Sequence, residues 1–167
     1  MPRCAVLALF ALAVTAGCAR PPASWGVAPA FRLPDLAGGT FASESLRGKV
    51  VVLDFWATWC GPCLAEMPDY DAFWKRNRGR GVELIGVVVD SGDAREIEEF
   101  VRQERIAYRQ LLGDDAIQQA FQVNEGLPTT FVIDAQGRVA ARILGAVPGK
   151  FESLQKTVDA LLAANRS

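Results

Sequence analysis

Residues 49–63 read Lys49-Val-Val-Val-Leu-Asp54-Phe-Trp-Ala-Thr-Trp-Cys60-Gly-Pro-Cys63. As far as Trp56 the run is apolar and rich in β-branched residues, which is what a central strand covered on both faces requires. Asp54 interrupts it. A carboxylate in such a strand is costly unless its charge is suppressed or satisfied, and desolvation is expected to raise its pKa. Beyond the cysteines, Leu64, Met67, Tyr70 and Trp74 recur at helical spacing, so a helix is predicted from Pro62 to Arg76. Pro68 is set to kink it, and Gly79 to Gly81 lie past its end. The C-x-x-C therefore sits where a buried strand meets a helix. There the first Cys faces unpaired backbone N–H groups and the positive end of the helix dipole, which lower a thiol pKa and leave the thiolate nucleophilic near neutral pH. Cys63, one turn inside, is expected to be more buried and less ionised. That asymmetry assigns attack on a partner disulfide to Cys60 and resolution of the mixed disulfide to Cys63.

Working outward, Phe31-Arg-Leu and Thr40-Phe flank the turn-forming Ala37-Gly38-Gly39 and suggest a hairpin, while Val82 to Val89 reads as a second buried strand. Asp93 caps a polar, charge-laced helix to about Gln103, with Ile97, Phe100 and Val101 on its inner face. A short strand near Arg109 to Leu112 follows, then a helix from Asp114 or Asp115 to Phe121. Thr129 to Ile133 and Val139 to Leu144 read as antiparallel strands joined at Ala135-Gln-Gly137. Lys150 to Ala164 is a last amphipathic helix with Phe151, Leu154, Val158, Leu161 and Leu162 inward. This order implies an α/β sandwich with a mixed central sheet flanked by helices.

The chain has 167 residues, 18 Lys+Arg against 19 Asp+Glu, four Cys and no His. Without imidazole, His-based metal sites, Ser-His-Asp triads and Cys-His proteases are excluded. A formal net charge of −1 offers no basic excess for nucleic acid. The amino terminus differs from the rest: Arg3 is followed by an uncharged run from Ala5 to Ala16 and then Gly17-Cys18. Residues 1–17 read as a signal peptide, too short for the roughly 18 to 20 residues that span a bilayer. Small residues before Cys18 resemble a lipobox, which would make Cys18 a lipid-modified first residue, although Thr15 stands where Leu is usual. The other reading is ordinary cleavage nearby with Val14 and Ala16 as the small pair. Residues 18–29 are Pro-rich and suit a tether, leaving 30–167 as the domain. Within that domain only Cys60 and Cys63 remain, and a bond between them closes too short a loop to stabilise much.

The stretch DFWATWCGPC resembles the active site of the thioredoxin superfamily, and the layout is similar to its extracytoplasmic TlpA/ResA-like thiol-disulfide oxidoreductases. The amino-terminal hairpin with APAFRLPDLAGG, Glu66 in CLAEMP, and a helix-strand insertion from about Asp93 to Leu112 carry that likeness. The resemblance implies a thioredoxin-like fold and exchange through a redox-active Cys60–Cys63 disulfide, with no metal and no other cofactor. It also implies that Pro128, in Gly126-Leu-Pro-Thr-Thr, is a cis proline beside the disulfide rather than a simple loop proline. Leu127, Pro128 and Thr129 would then dock a substrate segment, together with Trp59, Gly61 and Pro62. Trp56 reads equally well as core.

Asp54 resembles the thioredoxin carboxylate that takes the proton of the second Cys, and departs from the many TlpA/ResA-like chains that carry Asn there; Glu66, three residues past Cys63 on the same helix face, is a candidate for the same role. Their plainer readings are a structural hydrogen-bonding role for Asp54 and a solvated helix carboxylate for Glu66. Gly61-Pro62 supplies no cation to stabilise a thiolate and two carboxylates disfavour one, which places the protein toward the reducing end. The implied partners are disulfide-containing exported proteins, apocytochrome c among them, and a membrane thiol donor; a monomer in the bacterial periplasm is expected. Three rivals remain: a Cu(I) carrier using the dithiol and Met67, a thiol peroxidase, and a holdase. Peroxidases of this outline carry Thr three residues before the attacking Cys, where this chain has Ala57.

Overall fold

The structure is a computed structural model that describes residues 26–166. The expected signal peptide, Cys18 and most of the tether lie outside the described residues. The end of that tether belongs to the folded unit: Ala28 N–H donates to the Gly137 carbonyl at 2.8 Å and Val139 N–H to that of Gly26 at 2.9 Å.

Strands β1 (Arg32–Pro34) and β2 (Thr40–Ala42) form the hairpin, and a 3-10 turn, Ser43–Leu46, leads into β3 (Val50–Trp56). Helix α1 (Gly61–Asn77), β4 (Val82–Val88), α2 (Ala94–Gln103), β5 (Arg109–Leu112) and α3 (Asp115–Ala120) follow. The chain closes with β6 (Thr129–Ile133), β7 (Val139–Leu144) and α4 (Lys150–Ala164). Five strands make one sheet in the order β5-β4-β3-β6-β7, with β3 at its centre. β4 runs parallel to β3 and β5 parallel to β4, whereas β6 is antiparallel to β3 and β7 to β6. This is the expected mixed sheet with its hairpin and helix-strand insertion.

Because side chains alternate along a strand, β3 divides the interior in two. Val51, Leu53 and Phe55 join Phe31, Leu33, Leu46, Phe121 and Phe131 on the face covered by the hairpin and α3. Val50 and Val52 face the other way, among Tyr70 and Phe73 of α1 and Leu154, Val158 and Leu162 of α4. Asp54 and Trp56 share this second face by register.

α1 is continuous through Pro68, so the missing N–H is absorbed without ending the helix. At the start of α2, Asp93 accepts from the N–H groups of Arg95 and Glu96, both at 2.9 Å, and Glu96 reaches back to Asp93 N–H at 3.3 Å, a reciprocal cap.

Candidate active site

β3 ends at Trp56 and the chain turns through Ala57-Thr58-Trp59 to Cys60, the N-cap of α1. Cys60 is in extended conformation and its sulfur accepts from Cys63 N–H at 3.3 Å. Pro62 sits in the first turn, where its missing N–H leaves nothing unsatisfied. The two sulfurs are bonded at 1.99 Å with Cα atoms 5.3 Å apart. In this oxidised state Cys60 and Cys63 are both buried, at 5% and 3% exposure, so the expected difference in burial is slight. Gly61 and Pro62 between them are exposed.

Two neighbours frame this turn. Trp59 is 65% exposed, yet its indole N–H donates to the Asp90 carbonyl at 2.7 Å. Trp56 is core: it is buried and donates through Nε1 to Gln110 Oε1 at 2.9 Å. Opposite, the Leu127–Pro128 bond is cis, and Leu127 packs against the cluster formed by Trp56, Ala57, Cys60, Cys63 and Met67. The Pro128 carbonyl is already engaged by Gly145 N–H at 2.7 Å. Thr129 is wholly buried and its hydroxyl donates to the Gly126 carbonyl at 2.7 Å, which makes it an anchor of the loop rather than a surface for docking. Of the three, Leu127 is the half-exposed one.

On the face of β3 shared with Trp56 lies a buried polar group. Asp54 Oδ1 accepts from the Tyr70 hydroxyl and the Thr130 hydroxyl, both at 2.7 Å, and those two hydroxyls are 2.8 Å apart. Two hydroxyl hydrogens serve three contacts while Asp54 is ionised; a proton on Oδ1 supplies the third. Burial raises the Asp54 carboxyl from its ordinary 3.8 to about 6, against the opposing pull of Lys150 and the two hydroxyls. Burial, then the charge of Asp54, hold the Tyr70 phenol well above 10, so it stays a donor.

Glu66 is 7% exposed and its Oε2 lies 2.6 Å from Lys150 Nζ. The solvated reading of this carboxylate is thereby excluded, and the cation missing from the sequence reading is Lys150, brought in by α4. Its ammonium also stands 5.2 Å from the centre of the Tyr70 ring. A Lys in the first turn of a helix opposes the macrodipole, and that conflict was the available signal for Lys150. Tyr70, one turn beyond Glu66 on α1, was legible only as a core position, and Thr130 only as part of a strand.

The sequence matches the family described as AhpC/TSA over residues 26–142. It is 34% identical over 119 residues to the thiol-disulfide oxidoreductase ResA of Bacillus cereus, spanning 71% of this chain and 68% of that protein. A thiol:disulfide interchange protein of the thioredoxin family from Chlorobium tepidum superposes with a TM-score of 0.72 and 31% identity, covering 86% of this chain and 98% of that one. A secreted disulfide oxidoreductase of Mycobacterium tuberculosis does so with a TM-score of 0.65 and 27% identity, covering 78% and 96%.

Proposed function

We propose that this chain, which belongs to the AhpC/TSA family of thioredoxin-like proteins and is a thiol-disulfide oxidoreductase, works outside the cytoplasm as a reductase of disulfides in exported proteins. The observation that carries the reading is the placement of Cys60 as N-cap of α1, bonded to Cys63, on a helix that packs against the face of β3 where Asp54 is buried.

In the reduced protein the Cys60 thiolate meets the helix N-terminus and attacks one sulfur of a substrate disulfide. A Cys60–substrate bond forms, the substrate S–S bond breaks, and the departing sulfur takes a proton from solvent. Cys63 then gives up its proton and attacks Cys60 Sγ. The mixed disulfide breaks, its electron pair leaves with the second substrate sulfur, and that sulfur is protonated. Two electrons pass from the dithiol to the substrate through sulfur alone, so no cofactor is needed. Asp54 accepts the Cys63 proton: it is buried on the same side of the sheet as α1 and its raised pKa brings it toward neutrality. Leu127 and Trp59 contact the incoming segment from either side.

The reducing direction rests on charge. Asp54 and Glu66 outnumber the single ammonium of Lys150 among the buried charges on this face of the sheet, and nothing cationic lies between the cysteines, so no side-chain charge adds to what the helix terminus gives the thiolate. Export is supported by the apolar amino-terminal run and by the secreted Mycobacterium tuberculosis relative. No helix among the described residues is long and apolar enough to cross a membrane. The membrane link we propose, from Ala16-Gly17-Cys18 at the end of the apolar run, is a lipid on Cys18, with electrons supplied by a membrane thiol donor. Apocytochrome c, before haem attachment, is the first substrate to try.

Cys63→Ser should arrest the cycle at the mixed disulfide, leaving the partner covalently held on Cys60 and identifiable by mass spectrometry. Recovery of no covalent partner from the envelope of reductant-supplied cells, or an equilibrium potential above about −170 mV, would overturn the reductase assignment.

A further inference from the structure

Lys150 stands where neither helix physics nor burial favours a cation. It is the first residue of α4, after Gly149 in left-handed conformation (φ 74°), and its side chain is 1% exposed. A helix N-terminus repels positive charge and an ammonium out of water is costly. What holds it is Glu66 at 2.6 Å and the face of Tyr70 at 5.2 Å. Both partners belong to α1, and both are tied to the redox site: Glu66 is three residues past Cys63, and the Tyr70 hydroxyl donates to Asp54. On its other side the ion pair lines a solvent-open pocket of about 420 Å³, between Asp69 of α1 and the Ala146–Gly149 connection. Lys150 thus touches both sides: it lines the pocket, and its ammonium stands over the ring whose hydroxyl donates to Asp54.

We propose that Lys150 is a positioning residue for the resolving step: it holds Glu66 at the inner end of this pocket as the port through which the proton of Cys63, received on Asp54, is exchanged with solvent. The inference rests on the thiol-disulfide reading and adds to it the exit of the proton. The titratable groups at the pocket are Glu66 and Asp69 of α1 and Lys150 and Glu152 of α4, and those about Asp54 are Tyr70 of α1, Glu66, Lys150 and Tyr108, which precedes β5 and packs on Tyr70. Of the charges acting on Asp54, the ammonium of Lys150 outweighs the carboxylate of Glu66. Removing Lys150 leaves Asp54 protonated to higher pH, and a protonated Asp54 cannot receive the proton of Cys63. Resolution must then shift in the alkaline direction, while attack by Cys60, which depends on the helix terminus, stays where it is.

The test uses the full chain, reduced and mixed in stopped flow with excess chromogenic aryl disulfide over a range of pH. Attack by Cys60 releases a first aryl thiolate and resolution by Cys63 a second, so the steps are read separately. In Lys150→Met the second release should move alkaline by about one pH unit, or slow about tenfold at neutral pH, with the first unmoved. Lys150→Arg should restore most of it. Because Lys150→Met strands a buried carboxylate, the paired E66Q/K150M variant, which leaves neither charge unpaired, guards against loss of folding; its second release should also be alkaline-shifted. A second release that keeps the wild-type profile in the folded paired variant, or two releases displaced together, overturns the proposal. If the wild type shows both releases but reduces no protein disulfide, the functional reading fails and this one stands.

Discussion

The two faces of the central sheet are built from the same strands and both carry an apolar cluster, but one of them also buries the charged groups Asp54, Glu66 and Lys150. On one, Phe121 lies within 6.1, 5.4 and 5.2 Å, ring centre to ring centre, of Phe31, Phe55 and Phe131, in a cluster of buried apolar residues. On the other, a single register step away, Asp54, Thr130, Tyr70, Glu66, Lys150 and Gln110 are buried together with the two cysteines. Aromatic packing of the first kind is insensitive to pH. The second places charge and hydrogen bonds in low dielectric, where each proton matters. The comparison teaches that one face is given to packing alone while the other combines packing with a polar site that can be tuned, because strand parity keeps the two apart.

Breaking the apolar face should have the largest effect. Phe121→Ala removes three ring contacts and should lower stability by about 3–5 kcal/mol, measured by denaturant titration, while the alkylation rate of Cys60 in the remaining folded protein is unchanged. Next comes the reverse effect on the polar face. A carboxyl raised from 3.8 to about 6 contributes its stability in full below its ordinary value and loses it as pH rises through about 6, a difference of about 3 kcal/mol. Asp54→Asn should therefore be more stable than wild type above pH 6 by up to that amount, converge with it near pH 4, and resolve mixed disulfides more slowly; pH-dependent melting curves and the stopped-flow assay check this.

A smaller effect is expected at Gly86, which pairs with Asp54 across β3 and β4. A Cβ there would stand 2.2 Å from Gln110 Oε1, the acceptor of the Trp56 indole N–H. Gly86→Ala should cost about 1–3 kcal/mol and change the Trp56 fluorescence. The smallest lies outside both faces: Asp93→Ala, which unties the cap of α2, should cost about 1 kcal/mol and leave exchange rates alone.

What was legible in the sequence follows from how local each cause is. The ends of β6, β7 and α4 are where periodicity and turn residues place them, and the cysteine pair announces itself because its spacing and its strand-to-helix position are contiguous in the chain. The Glu66–Lys150 pair is separated by 84 residues and exists only because α1 and α4 lie side by side. Read locally, Glu66 is a carboxylate on a helix and Lys150 a helix start. Gln110 is a similar case: its burial depends on Gly86 leaving room for it, and a glycine inside a buried strand is the hint that something approaches closely.

Trp59 has one more consequence. Its ring is exposed, but the tie from its indole nitrogen to Asp90, a residue in left-handed conformation (φ 50°), holds it in one orientation before any partner arrives. Rotational freedom that a side chain has already surrendered does not have to be given up again when a visiting chain settles on it. A protein whose encounters must be brief, each visitor leaving once its sulfurs have traded electrons, gains by greeting them with a surface already set.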